Sequence, residues 1–249
     1  MIETRMEEGV AVLTLAHGKA NALDLDFCRA IAARFRELRE SEARAIVLTG
    51  RANMFCAGVD LKKVSEGRAA YLRAFLPALH DLYDEVFFHP KPVIAAINGH
   101  AIAGGAVLAA CADRRIMARD SGRIGITELL VGVPFPVLAF EVVRFALPPR
   151  YLAESMLSGA TYPAEAALQR GWVDELAEPS GLMNHALAVA RHYASLSPPA
   201  FAQAKKQIRQ EVAAHLARDR ADDRAVTDIW CAPETLARIR DYVARTLKK

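Results

Sequence analysis

Polar and apolar residues alternate at the start of the chain. Ile2, Thr4 and Met6 are interleaved with Glu3 and Arg5, and Val10, Val12, Leu13 and Leu15 follow Glu8-Gly9. That pattern predicts a β-hairpin with an exposed turn. The period then lengthens. Leu25, Ile31, Phe35 and Leu38 fall on one helical face, which predicts a helix from Asp24 to Glu40 with Asp24 as its N-cap. Continuous apolar runs at 45–49 (AIVLT) and 93–97 (VIAAI) read as buried strands, and 114–118 (RRIMA) as a third. Tyr71, Phe75, Leu79, Leu82 and Val86 recur every three or four residues. They predict a helix over 68–88 that His89-Pro90-Lys91-Pro92 stops. Tight loops at 50–58 and 98–105 and a small-residue helix at 106–112 complete this part.

Strand, loop and helix repeat in that order, so an α/β layer architecture is expected. Beyond Pro148-Pro149 the composition shifts toward helix formers. Helices are predicted at 151–158, 163–170, 181–195, 200–214 and 233–246. The organisation is an α/β core over 1–195 and a helical region over 196–249, within one domain, which suits a chain of 249 residues.

Composition acts mainly by exclusion. Lys and Arg number 32 against 29 Asp and Glu, a net charge of +3, with the two signs interleaved. That is too little to argue for a nucleic-acid partner. Cys28, Cys56, Cys111 and Cys231 show no C-x-x-C spacing and no nearby His pair suited to zinc. No metal site and no disulfide framework are expected, and reduced, buried thiols point to a cytoplasmic protein. The first residues carry acids where a signal peptide needs a basic segment. The most apolar stretch, 93–112, is interrupted by Asn98, His100 and glycines, so no membrane segment is expected.

Three stretches carry candidate chemistry: 55–61 (FCAGVDL), 98–105 (NGHAIAGG) and 123–135 (RIGITELLVGVPF). The second lacks the G-x-G-x-x-G of a dinucleotide loop and the Lys-Ser or Lys-Thr of a P-loop. The first two share a pattern, a strand followed by small residues leading into a helix. The first amides of a helix have no internal acceptor, and the helix dipole favours negative charge beside them. Two such loops brought together would make a two-donor oxyanion hole.

In these stretches, with 20–24 (ANALD) and 159–176 (GATYPAEAALQRGWVDEL), the chain resembles the crotonase (enoyl-CoA hydratase/isomerase) superfamily over most of its length. The resemblance implies a spiral of ββα units and a helical C-terminal trimerisation region. It implies acyl-CoA thioester substrates and a homotrimer, often paired into a hexamer. Coenzyme A is then part of the substrate, and no separate cofactor is expected. The oxyanion donors become the backbone N–H groups of Val59 and Gly104. Ala103 replaces the first glycine of the family's run of three. Coenzyme A is expected along Ala20, Ala22, Ala57, Asp60 and Leu61, with Lys19 and Lys62 as candidates for its phosphates.

The resemblance also supplies a departure. The family's hydratases use two glutamates. One position is Val107 here; the other is Glu128. Adding water to a 2-enoyl thioester naturally occupies two carboxylates, whereas moving a double bond from C3 to C2 needs one. The chain therefore looks most like the Δ3,Δ2-enoyl-CoA isomerases, with Glu128 catalytic and Val107, Leu129, Val131 and Phe135 forming the acyl pocket. Burial should raise the pKa of Glu128. The alternatives are a hydratase working with Glu128 alone and a non-catalytic acyl-CoA-binding protein. His100 reads as a loop histidine near the coenzyme A channel, Asp113 as a structural carboxylate near 114–116, and Trp172 and Trp230 as core or interface residues.

Overall fold

The computed structural model describes residues 1–246. The chain begins with the hairpin β1 (Ile2–Glu7) and β2 (Val10–Leu15), antiparallel with Glu7 opposite Val10. Helix α1 (Leu25–Arg39) follows, capped by Asp24, whose Oδ1 accepts from Phe27 N at 2.8 Å. Next come β3 (Ala45–Thr49), β4 (Met54–Cys56), α2 (Leu61–Phe87), β5 (Val93–Ile97), β6 (His100–Ile102), α3 (Gly104–Ala110) and β7 (Arg114–Ala118). Then β8 (Ile124–Gly125), α4 (Glu128–Val131), α5 (Val137–Ala146), α6 (Pro149–Leu157), β9 (Thr161–Tyr162), α7 (Ala164–Arg170) and β10 (Glu175–Ala177) complete the sheets. The chain continues through α8 (Leu182–Ser195), α9 (Pro198–Ile208), α10 (Gln210–Arg218), α11 (Arg220–Cys231) and α12 (Pro233–Thr246).

Two sheets result. The larger has the order β1-β2-β3-β5-β7-β10 and is parallel apart from its hairpin. Every side chain of β3 and β5 is buried, because both faces of this sheet are covered. Leu13, Ile46, Leu48 and Ala95 face the main core with α1, α2 and α3. Val12, Val47 and Ile94 face Leu182, Ala186 and Ala190 of α8. The smaller sheet, β4-β6-β8-β9, is built from strands of two or three residues. Parallel sheets with C-terminal helices packed on them agree with the α/β architecture expected from the sequence.

Several elements differ from the pattern-based expectation. The loops expected at 50–58 and 98–105 each contain a strand of the smaller sheet, too short to show a period. Helix α2 starts at Leu61 rather than 68, because Asp60 caps it by accepting from Lys62 N and Lys63 N at 3.0 and 3.1 Å. Arg68, with φ 52 and ψ −148, interrupts it, so the earlier part is a separate helical piece. The helix expected over 200–214 divides at Arg209 into α9 and α10. Helices α5 and α11 had no predicted counterpart. Val212, Trp230, Leu236 and Ile239 of the C-terminal helices join the same buried cluster as the core. No helix among the described residues is long and apolar enough to cross a membrane.

Asp113 acts structurally. Its carboxylate accepts from Val93 N at 2.8 Å, Lys205 Nζ at 2.6 Å and Arg209 Nη2 at 2.7 Å, tying α9 to the end of β5. The predicted partners at 114–116 are not used; Arg115 pairs with Asp174 instead.

A close backbone approach joins β4 to α3. A Cβ placed on Gly105 would lie 2.1 Å from the Cys56 carbonyl oxygen. Backbone cannot yield as a flexible side chain can, so Gly105→Ala must push α3 and β4 apart. We expect that substitution to cost about 3 kcal/mol or more, the range of severe core lesions. Urea denaturation checks it; an unchanged midpoint would mean that the two segments are not in contact.

Candidate active site

The segment after β4 lies along residues 20–23. Ala57 N donates to Ala20 O at 3.0 Å, Leu23 N to Gly58 O at 2.7 Å and Asp60 N to Leu23 O at 2.9 Å. These bonds use the Gly58 carbonyl before Val59 and the Asp60 amide after it. The Val59 N–H itself has no partner among the described residues.

The segment after β6 turns sharply into α3. Ala103 adopts φ 54 and ψ −126, a conformation costly for a residue with a side chain. Its N–H donates to Gly125 O at 2.8 Å, and its carbonyl accepts from Ala106 N and Val107 N. Gly104 is the first residue of α3, and its N–H also has no partner among the described residues. The Gly104 carbonyl accepts from the buried Tyr83 hydroxyl at 2.9 Å.

The two segments meet. A Cβ on Gly58, where φ is +81, would lie 2.9 Å from Gly104 N and 2.7 Å from Ile102 O. Only glycine supplies both the left-handed φ and the room. Two unpaired amides therefore sit on loops in direct contact. Such a pair can hold an oxygen that gains negative charge during a reaction.

Beside them is a cavity of about 430 Å³. Residues from the amino-terminal third line one part of it: His17, Lys19, Ala20, Ala22, Ala57, Val59, Asp60, Leu61 and Lys62. The other part is Ile102, Ala103, Thr127, Glu128, Val131, Val133, Trp230 and Tyr242. Lys19 and Lys62 are exposed. Gly104 follows the lining residue Ala103 directly.

Glu128 opens the one-turn helix α4. Its Oε2 accepts from Thr127 N at 2.9 Å. Burial among protein atoms raises its pKa to about 7, against the smaller lowering effect of hydrogen bonds from its own and the Thr127 amide. Val131, three residues on, shares its face and the cavity.

Three of the four expected acyl-pocket residues do not line this cavity. Leu129 is 41% exposed, because it occupies the other side of α4. Phe135 packs against the core from beyond the turn. Val107 is buried at 1% exposure, within the core cluster behind α3. His100 is also elsewhere. Its Nδ1 accepts from Arg123 N at 3.3 Å, and it lines a separate polar cleft with Asn98 and Asp120. Trp172 is fully buried, as expected, but Trp230 borders the cavity.

Residue reading of the sequence missed His17 and Tyr242 as well as Trp230. His17 Nε2 contacts Asp24 Oδ2 at 2.7 Å, and its ring stacks on Phe27. Burial would raise the pKa of Asp24, but hydrogen bonds from Lys63, Phe27 N and His17 outweigh it, so the carboxyl stays below its ordinary range. A histidine seven residues before an N-cap aspartate offers a faint local signal. Tyr242 and Trp230 offer none, since they reach the cavity only through the packing of α11 and α12 on α2. No group of three or more metal-ligating side chains occurs among the described residues.

Comparison with known proteins places this geometry. The profile of the family described as enoyl-CoA hydratase/isomerase matches residues 5–233. A probable enoyl-CoA hydratase of Mycobacterium avium is 33% identical over 204 residues, 81% of this chain and 79% of that protein. The rat mitochondrial enoyl-CoA delta isomerase 1 is 26% identical over 226 residues, 90% of this chain and 78% of that one. The crystal structure of human mitochondrial Δ3,Δ2-enoyl-CoA isomerase superposes with a TM-score of 0.94 over 99% of this chain and 98% of that one, at 23% identity, a likeness of fold. The chain belongs to the enoyl-CoA hydratase/isomerase family, whose enzymes act on acyl-CoA thioesters.

Proposed function

We propose that the protein is an isomerase that converts 3-enoyl-CoA to 2-enoyl-CoA. The observation that carries this reading is the carboxylate inventory of the cavity. Glu128 stands in its apolar part with a raised pKa. The other carboxylate among the described lining residues, Asp60, is engaged in capping α2. The position where a hydratase has its second glutamate holds the buried hydrocarbon of Val107.

In this reading the thioester oxygen accepts hydrogen bonds from the Val59 and Gly104 amides. The Glu128 carboxylate removes a proton from C2. The electron pair of that C–H bond spreads through the C3–C4 double bond and the thioester, and the negative charge gathers on the oxygen. The protonated Glu128 then returns the proton at C4, leaving the double bond between C2 and C3. One carboxyl group serves both steps, and a pKa near 7 suits a group that must take and give a proton at neutral pH. Val131 and Val133 leave the intermediate little access to water, which suppresses side reactions.

The coenzyme A moiety would lie along Ala20, Ala22, Ala57, Asp60 and Leu61, with Lys19 and Lys62 placed for phosphates. The exposed Leu130 and Leu157 support assembly of copies of this chain into a homotrimer or hexamer. Reduced thiols, with no cysteine of the chain paired, fit a cytoplasmic setting.

Glu128→Gln keeps the shape of the side chain and removes the base. Its kcat on a 3-enoyl-CoA should fall about 10³-fold or more with little change in KM, a loss of the size that deleting an acid–base catalyst produces. Turnover close to wild type would remove Glu128 from the reaction.

The proton-accepting form of Glu128 is the anion. The kcat/KM of the wild type should therefore rise with pH up to about 7 and level off above it. A rate independent of pH between 5 and 8 would contradict a base with that pKa.

Hydration of crotonyl-CoA should run at least about 10²-fold slower than isomerisation, because Val107 can neither orient nor deprotonate water. Comparable rates, measured on the two substrates with one enzyme preparation, would favour a hydratase instead.

A further inference from the structure

The cavity has two chemically distinct ends. Ala57 N bonds to Ala20 O, which sets Lys19 beside the segment that carries Asp60 and Lys62 at the charged end. At the other end Ile102, Val131, Val133, Trp230 and Tyr242 surround Glu128, and no further charged lining side chain stands there among the described residues.

Trp230 is 2% exposed. Its indole Nε1 donates to the Pro134 carbonyl at 2.9 Å, directly after the lining residue Val133. That bond satisfies the one polar atom of the side chain and fixes the ring against the turn after α4. The neighbouring helix α12 seats on the same turn. A Cβ on Gly132 would lie 3.0 Å from Cδ of Arg238, so the turn and the helix are in contact. This chain's own C-terminal helices therefore border the apolar end, and its largest side chain is held by a hydrogen bond.

We propose that Trp230 is the end wall of the acyl chamber and restricts the substrates to short, uncharged acyl chains. The proposal rests on the preceding reading only in seating the acyl group beside Glu128. A volume of 430 Å³ lies in the lower part of the range of small-molecule sites, roughly 300–1,000 Å³. It must also take the thioester and part of the pantetheine, which leaves little room for a long chain. A free carboxylate on the acyl group would be buried without a cationic partner and close to Glu128, an arrangement that costs binding energy.

The test measures binding of saturated acyl-CoA thioesters by titration calorimetry. The series runs from butyryl through octanoyl to palmitoyl, with glutaryl-CoA added, on the wild type, Trp230→Ala and Trp230→Phe. Wild-type affinity should peak no later than octanoyl and fall for palmitoyl, and glutaryl-CoA should bind at least about tenfold more weakly than butyryl-CoA. The ratio of palmitoyl to butyryl affinity should rise at least about tenfold in Trp230→Ala, with Trp230→Phe between it and the wild type. An unchanged ratio in the variants overturns the proposal. So does a wild type that binds palmitoyl-CoA as tightly as octanoyl-CoA. Should Trp230→Ala fail to fold, the milder Trp230→Phe decides alone. Calorimetry needs no turnover, so the two readings fail separately. A shifted ratio without isomerase activity would sink the reaction and leave the wall. Isomerase activity with an unshifted ratio would do the reverse.

Discussion

The approach of two stretches of main chain, with no side chain between them, is the constraint on which the site depends. Gly58 and Gly105 allow the end of β4 to lie against the start of α3. A methyl group at either position would collide with backbone atoms. The contact places two helix-leading loops side by side, and the bonds from 20–23 to 57–60 decide which amides are used and which remain free. Removing one donor from a hole of this kind costs a transition state about 3–4 kcal/mol. The strained Ala103 belongs to the same account. Its unfavourable φ is tolerated because its amide is bonded to Gly125 and its carbonyl starts the first turn of α3.

Around that contact the fold grades the environment of the cavity. Near α1 and α2 it is polar and rimmed by lysines; near α4 it is hydrocarbon. The gradient separates two carboxyl groups by function. Asp60 gives its lone pairs to the amides at the start of α2, and its charge is spent on structure. Glu128 has only two amides near its oxygens and apolar walls beyond them, so its proton is held to about pH 7. Asp24 shows the contrary case. It is as deeply buried as any carboxylate of the chain, yet Lys63, His17 and an amide keep it ionised. Burial alone therefore does not choose the base; unpaired burial does.

The C-terminal helices complete the chamber rather than merely extending the chain. Helices α11 and α12 pack on α2, and they bring Trp230 and Tyr242 to a cavity whose other walls all come from residues up to Val133. The Asp113, Lys205 and Arg209 cluster anchors the beginning of this helical region to the main sheet. A buried ion network of this kind holds its position because breaking one partner strands the others.

The residue pattern alone determined the hairpin, the buried strands β3, β5 and β7, the amphipathic helix α1 and most of the later helices. Their periods reflect which faces are wetted, and that is a local property. The small-residue turns suggested by themselves only two loops with free amides; it was the resemblance to the crotonase superfamily that named Glu128, Val59 and Gly104 and the residues along 19–22 and 57–62. The smaller sheet was not legible, since strands of two or three residues carry no period. Tertiary structure alone decided which apolar residues wall the cavity. Leu129 and Phe135 have the right composition and the wrong direction, since one turn of helix sends Glu128 and Val131 one way and Leu129 another. Trp230 and Tyr242 have no local mark at all. A side chain's direction and its distant neighbours are set by how helices pack, and packing is a property of the whole folded chain.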